Sequence, residues 1–89
     1  MEKFVVFGKY CKDAIIKRKP FREQHLNRLQ NLKDQNILVT LGPTKCTKYL
    51  FGIFNAYDEN QLRNFIEEDI YWKKGIWINY DIYPWIQAF

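Results

Sequence analysis

The chain holds one histidine, His25, in a segment from Pro20 to about Asn36 where Leu26, Leu29 and Leu32 recur at helical spacing. With Leu29 as the centre of that helix's apolar stripe, Leu26 and Leu32 lie about 60° to either side, Arg22 at roughly 20° and His25 at roughly −40°. If the helix extends back that far, Arg18 falls near about −20°. An imidazole and guanidinium groups therefore point where the leucines point. A second helical segment, starting at Asp58 and carrying Leu62, Phe65 and Ile66, repeats the pattern, with Asp69 on its apolar side near its C-terminal end. A carboxylate there sits at the unfavourable end of the helix dipole and calls for a compensating partner. If Asp69 meets His25, it can orient one ring nitrogen while the other faces a ligand, which is an acid–base arrangement. The same residues also admit a structural reading, in which His25 and Asp69 form a buried hydrogen-bonded pair and Arg22 neutralises the acid.

Other chemistries lack their residues. Two cysteines, Cys11 and Cys46, and a single histidine cannot build a Cys₄ or Cys₂His₂ zinc site. No phosphate-binding glycine loop, dinucleotide fingerprint or metal-ligand spacing occurs, so neither cofactor nor metal is expected. The cysteines have no evident activating partner and read as reduced thiols of a cytoplasmic protein. No apolar run approaches the roughly 20 residues of a membrane span, and Phe4 to Phe7 is too short for a signal sequence.

The elements that would position these residues can be read along the chain. Residues 3–7 form a strand that closes near Gly8, and residues 12–18 a short helical turn. Pro20 opens the histidine helix, where its missing N–H does no harm. Ile37 to Leu41 is a second strand, stopped by Gly42 and Pro43, and Lys48 to Ala56 is a third. Asp58 caps the second helix with Gln61 three residues on, and that helix runs to about Asp69. After Gly75, a fourth strand runs from Ile76 to Tyr83 and ends at Pro84.

This order, βαββαβ in one domain spanning residues 1–89, predicts an α+β ferredoxin-like sandwich: one antiparallel four-stranded sheet with two helices on one face. In that topology the N-terminal end of the first helix and the C-terminal end of the second share one end of the domain. Arg22, His25 and Asp69 converge there, and so do Gly42 and Pro43 at the end of strand two and Trp77 at the start of strand four. The tryptophans Trp72, Trp77 and Trp85 read as packing groups rather than a stacking platform.

Composition adds a partner. The chain is 47% hydrophobic and 18% aromatic over only 89 residues, more apolar surface than so small an interior absorbs. The strands are apolar on both alternating sets: Val5 and Phe7 oppose Phe4 and Val6, and Leu50 and Phe54 oppose Phe51 and Ile53. Two helices cover one face, so a second copy of the chain is expected on the other, sheet against sheet. Charge is uneven: residues 1–48 hold eleven Lys/Arg against four Asp/Glu, and residues 49–89 hold three against six. A basic half accommodates an anionic ligand.

The segment Arg22-Glu23-Gln24-His25-Leu26-Asn27-Arg28-Leu29, followed by Leu41-Gly42-Pro43, by Asp69-Ile70-Tyr71 with Gly75-Ile76, and by Tyr83-Pro84-Trp85, resembles the YCII-related (YciI-like) family over essentially the whole chain. The resemblance implies a subunit that pairs into a dimeric α+β barrel and a pocket built on His25 and an aspartate. The aspartate of the family's Asp-Pro-Tyr signature maps to Asp69; Ile70 stands where the family has proline, which is expected to loosen that turn. Relatives include a dehydrochlorinase of a chlorinated hydroxyquinol. By analogy the chain is expected to be a small lyase or isomerase acting on a cyclic organic molecule, with His25 as base, Asp69 orienting it, Arg22 or Lys9 holding an anionic group, and Gly42, Pro43 and Trp77 completing the pocket. Two other readings stay open: a dimeric domain that binds a small ligand without turnover, and an RNA-binding module of the same element order. Strand three argues against the latter, since Leu50, Ile53 and Ala56 replace the glycine and aromatics that such a module stacks on bases.

Overall fold

The computed structural model describes residues 1–89. Strand β1 (Glu2–Tyr10) leads through a short helix α1 (Ala14–Lys17) and a 3₁₀ turn (Lys19–Phe21) into α2 (Arg22–Asp34). Strands β2 (Leu38–Pro43) and β3 (Tyr49–Ala56) come next, then α3 (Glu59–Glu67), a second short helix α4 (Ile70–Lys73) and β4 (Trp77–Trp85). The strands form one sheet in the order β2-β3-β1-β4, with every neighbouring pair antiparallel. This is the expected ferredoxin-like βαββαβ sandwich. No helix is long and apolar enough to cross a membrane.

Strand parity sets the two faces. Phe4, Val6 and Tyr10 of β1, with Leu50, Phe54 and Ala56 of β3, are buried and pack against Leu32 of α2 and Leu62 and Ile66 of α3. The opposite set leaves Phe7, Phe51 and Tyr83 at 49%, 40% and 56% exposure, although Phe7 pairs in register with Phe51. Their rings meet edge to face, Phe7 to Phe51 at 5.3 Å and Phe7 to Tyr83 at 6.3 Å between centroids. The apolar surplus of the composition therefore lies on the face that carries no helix.

Three strands run further than expected, and β1, expected to close near Gly8, continues to Tyr10. β2 continues through Gly42 and Pro43, and β4 through Pro84, which pairs in register with Phe4. Both are edge strands, where one row of backbone groups has no neighbour and a proline need not break the ladder. A proline reads as a stop in the bare sequence because the sequence does not say which strands lie outermost.

Helix ends set the direction in which the chain leaves them. Asp58 accepts a hydrogen bond from the Gln61 N–H at 2.8 Å, and Gln61 Oε1 accepts from the Tyr57 N–H at 2.7 Å, the reciprocal cap expected at the start of α3. Helix α2 closes on Asn36 at φ 60°, with the Asn36 N–H donating to Lys33 O and the Ile37 N–H to Leu32 O. Helix α4 closes in the same way on Gly75 at φ 70°, with Gly75 N–H to Trp72 O and Ile76 N–H to Tyr71 O. This paired closure turns the chain abruptly into β4 and seats Trp77.

Candidate active site

The second helical segment does not run to Asp69. Helix α3 stops at Glu67, and Asp69, at φ −67° and ψ 140°, is the N-cap of α4, its Oδ1 accepting from the Tyr71 N–H at 2.9 Å. The carboxylate thus lies at the favourable end of a new helix, which removes the dipole conflict expected from one continuous helix. Ile70 is the first residue of α4, the position proline favours, and the extended backbone of Asp69 is the one that a following proline selects. The turn keeps the shape a proline would impose.

Asp69 is wholly buried and receives three hydrogen bonds. His25 Nδ1 lies 2.7 Å from Oδ1, which also takes the Tyr71 N–H, and Arg28 Nη1 donates to Oδ2 at 3.0 Å. Arg28 Nη2 donates to the Phe65 carbonyl at 2.7 Å, tying α2 to α3. A carboxylate held by a guanidinium is an acceptor only, so Nδ1 of His25 carries the hydrogen and a neutral ring presents its lone pair at Nε2. Nε2 has no partner within the chain and is not sealed in, so it is open to the adjoining cavity. Tyr71 stacks on the imidazole at 3.6 Å and 8°, and Trp77 meets it edge-on at 5.2 Å and 86°. The ring is held in its plane from two sides.

The cavity has a volume of about 130 Å³. His25, Arg22, Gly42 and Pro43 all line it, together with Arg18, Tyr10 and Tyr71. That volume is well below the roughly 300 Å³ at which sites for drug-sized ligands begin, and suits a single substituted ring. Leu26, placed in the apolar stripe, is 46% exposed and belongs to the cavity rim rather than the core. Trp77 packs behind His25 and does not itself line the cavity.

Two further expectations are corrected. Lys9 precedes Tyr10 in β1, so it lies on the opposite, helix-free face, exposed and paired in register with Tyr49 and Asn79. It takes no part in the cavity. Arg22 does not neutralise Asp69; Arg28 does, and Arg22 makes no ion pair. Long side chains on a helix lean toward its N-terminus, so the arginine one turn after His25 reaches back beside it, while Arg22 leans away toward the cavity mouth. The three-residue spacing from His25 to Arg28 is the signal in the sequence that points to this pairing. No group of three or more His, Cys, Asp or Glu side chains comes together.

Burial pushes the Tyr10 and Tyr71 phenols above the ordinary tyrosine value, and the Arg18 charge pulls the other way in both. Both are therefore neutral hydrogen-bond donors at physiological pH. The linkage has a definite sign: an unfolded tyrosine loses its proton near about pH 10, the folded one only at higher pH, so the contribution is intact below about pH 10 and stability falls as pH rises beyond it. The urea midpoint is expected to drop between about pH 9.5 and 11.5, and to drop less in Tyr10→Phe. A midpoint equally flat in both proteins contradicts this.

A family model for the YCII-related domain matches residues 2–86. No curated protein matches the chain in sequence. Among solved structures, the chain is similar to 5-chloro-2-hydroxyhydroquinone dehydrochlorinase from Burkholderia phenoliruptrix AC1100 in complex with 2,5-dihydroxybenzoquinone. The two superpose with a TM-score of 0.82 at 22% sequence identity, covering 97% of this chain and 95% of that one. At that identity the likeness speaks for the fold.

Proposed function

The chain belongs to the YCII-related domain family, and on that premise we propose that it is a small lyase or isomerase that moves a proton on a single-ring organic substrate. One observation carries the reading: His25 has its Nδ1 fixed on a fully buried carboxylate and its Nε2 open to a ring-sized cavity. Nε2 of the neutral imidazole takes a proton from a ring carbon or hydroxyl. The imidazolium so formed keeps its Nδ1–H on Asp69, whose charge stabilises it, and Arg28 and the Tyr71 N–H hold that carboxylate in place. Arg22 at the cavity wall offers its guanidinium to an anionic substituent. In an elimination of hydrogen chloride from a keto tautomer whose chlorine-bearing carbon is tetrahedral and carries a hydrogen, His25 takes a hydroxyl proton, the O–H pair becomes a C=O double bond, the adjoining π pair shifts to the chlorinated carbon, and the C–Cl pair leaves with chloride. The similarity to a dehydrochlorinase with a one-ring molecule bound supports this class of substrate.

The test is chloride release from 5-chloro-2-hydroxyhydroquinone, followed with an ion-selective electrode. Acceleration over buffer that depends on His25 is expected. No acceleration, together with no solvent hydrogen exchange on a panel of one-ring hydroxyquinols, transfers the cavity to the noncatalytic binding reading.

The helix-free face supports a homodimer. Phe7, Phe51 and Tyr83 form an exposed aromatic cluster at its centre, and Trp85 extends it beside Lys3. Asp81 pairs in register with Phe7 on the same face, a charge that a phosphate backbone would avoid and a protein partner can accommodate. Sedimentation at micromolar concentration is expected to give twice the chain mass, and Phe51→Glu, which sets a charge in the cluster, to give a monomer. A monomeric wild-type chain sinks the dimer. Two free thiols, Cys11 and Cys46, suit a reducing compartment, in keeping with a cytoplasmic protein.

A further inference from the structure

Proton transfer by His25 and Asp69 leaves several cavity groups without a task. Arg18 and Arg22 both line the cavity, and neither makes an ion pair or hydrogen bond within the chain. They stand four residues apart across the 3₁₀ turn, and Arg18 is only partly exposed. Tyr10 and Tyr71 are both buried and both line the cavity. No carboxylate lines the cavity, and the buried Asp69 is saturated by His25, Arg28 and the Tyr71 N–H. The cavity thus presents two uncompensated positive charges and two phenol donors, with no negative group to answer them.

We propose that this cavity selects its ligand in a doubly ionised form: a planar ring with at least two oxygen substituents, one anionic oxygen lying across Arg18 and Arg22 and a second accepting from the Tyr10 hydroxyl. The inference rests on the cavity being the substrate site and adds the charge state and the binding groups. Guanidinium pairs recognise planar oxyanions through parallel N–H bonds, and a partly enclosed site strengthens them. An uncharged ring of the same shape leaves both guanidiniums unpaired and is rejected for that reason. Trp77 packs edge-on against Tyr71 and the His25 ring behind the cavity, and its buried indole N–H has no hydrogen-bond partner. Arg18 and Tyr10 are specificity-determining residues on this account, distinct from the base.

The probes are 2,5-dihydroxy-1,4-benzoquinone, which ionises twice below neutral pH, and its uncharged dimethyl ether. Affinities are measured by calorimetry in a Cys46→Ser background. That thiol is exposed and held below the ordinary cysteine value by the Thr44 hydroxyl 3.2 Å away, so it would add to a quinone. The dianion is expected to bind at least about tenfold more tightly than the ether. Arg18→Gln and Tyr10→Phe should each weaken the dianion about 10- to 100-fold, the range for a hydrogen bond to a charged group, and leave the ether unaffected. His25→Gln should keep the preference for the dianion. Equal affinity for the two quinones, or no binding of either at millimolar concentration, overturns the proposal. Thermal midpoints of the unliganded variants within a few degrees of the parent assign the losses to contact rather than folding. If the dianion preference holds while no turnover is found, the proton-transfer reading fails and this one stands; turnover with equal affinities gives the reverse.

Discussion

Asp69→Ala is expected to cost about 3–5 kcal/mol of folding stability, the usual consequence of removing one partner from a buried ionic cluster. The carboxylate has no exposed surface and accepts from His25, Arg28 and the Tyr71 N–H at once. Alanine strands all three donors and removes the N-cap of α4 as well. A domain of this size holds on the order of 5–13 kcal/mol in all, so the variant should approach its unfolding transition at ordinary temperature. Asp69→Asn is milder. It can keep an oxygen toward His25 and the Tyr71 N–H, but it then points an amide NH₂ at the Arg28 guanidinium, for a loss of about 1–3 kcal/mol. Urea titrations with a common slope separate the two. A loss below about 1 kcal/mol for the alanine variant would falsify the view of Asp69 as the keystone of this end of the domain.

The second large effect falls on rate. His25→Gln should lower turnover of a one-ring substrate about 10²- to 10⁴-fold, the range for a positioned general base. Glutamine keeps a donor for Asp69 but offers no basic nitrogen to the cavity. Stability should fall only by the lost ring contact with Tyr71, about 0.5–1.5 kcal/mol. Because Arg18, Arg22 and Tyr10 remain, ligand affinity should change little, so the loss appears in kcat rather than in binding. A variant within about tenfold of wild type assigns His25 to structure alone. Restoration of turnover to His25→Ala by added imidazole would tie the loss to the missing base.

Much of this architecture is legible in the sequence, for reasons that differ by element. Leu26, Leu29 and Leu32 mark α2 by period, and Asp58 with Gln61 marks the start of α3 by capping chemistry. The convergence of His25 with Asp69 comes from antiparallel helices in a βαββαβ order. The remainder depends on information that periodicity does not hold. Lys9 enters the expected site by analogy alone, past a strand expected to close near Gly8; β1 runs on to Tyr10, and its parity puts Lys9 on the face of Phe7 and Tyr10 on the other. Arg28 lies about 100° from Leu29, outside the stripe, and meets Asp69 only because its side chain leans back one turn. Tyr10 lies past the expected end of the first strand, and it becomes informative only once β1 is seen to continue and the cavity it borders is in place. The break between α3 and α4 hides in a helical-looking run, since Asp69 can close one helix or open another and packing decides which.

The prolines at the two outer strands have a bearing on what this protein avoids. An outermost strand with a full row of free amides is a template onto which another chain can add, and then another, without limit. Pro43 on β2 and Pro84 on β4 each delete an amide from such a row, one on either side of the sheet. Lateral growth into fibrils is obstructed at both margins, while the aromatic face stays available. Substituting Pro43 or Pro84 with a strand-forming residue would leave the fold's interior alone and open a route to ordered aggregation that the native chain keeps shut.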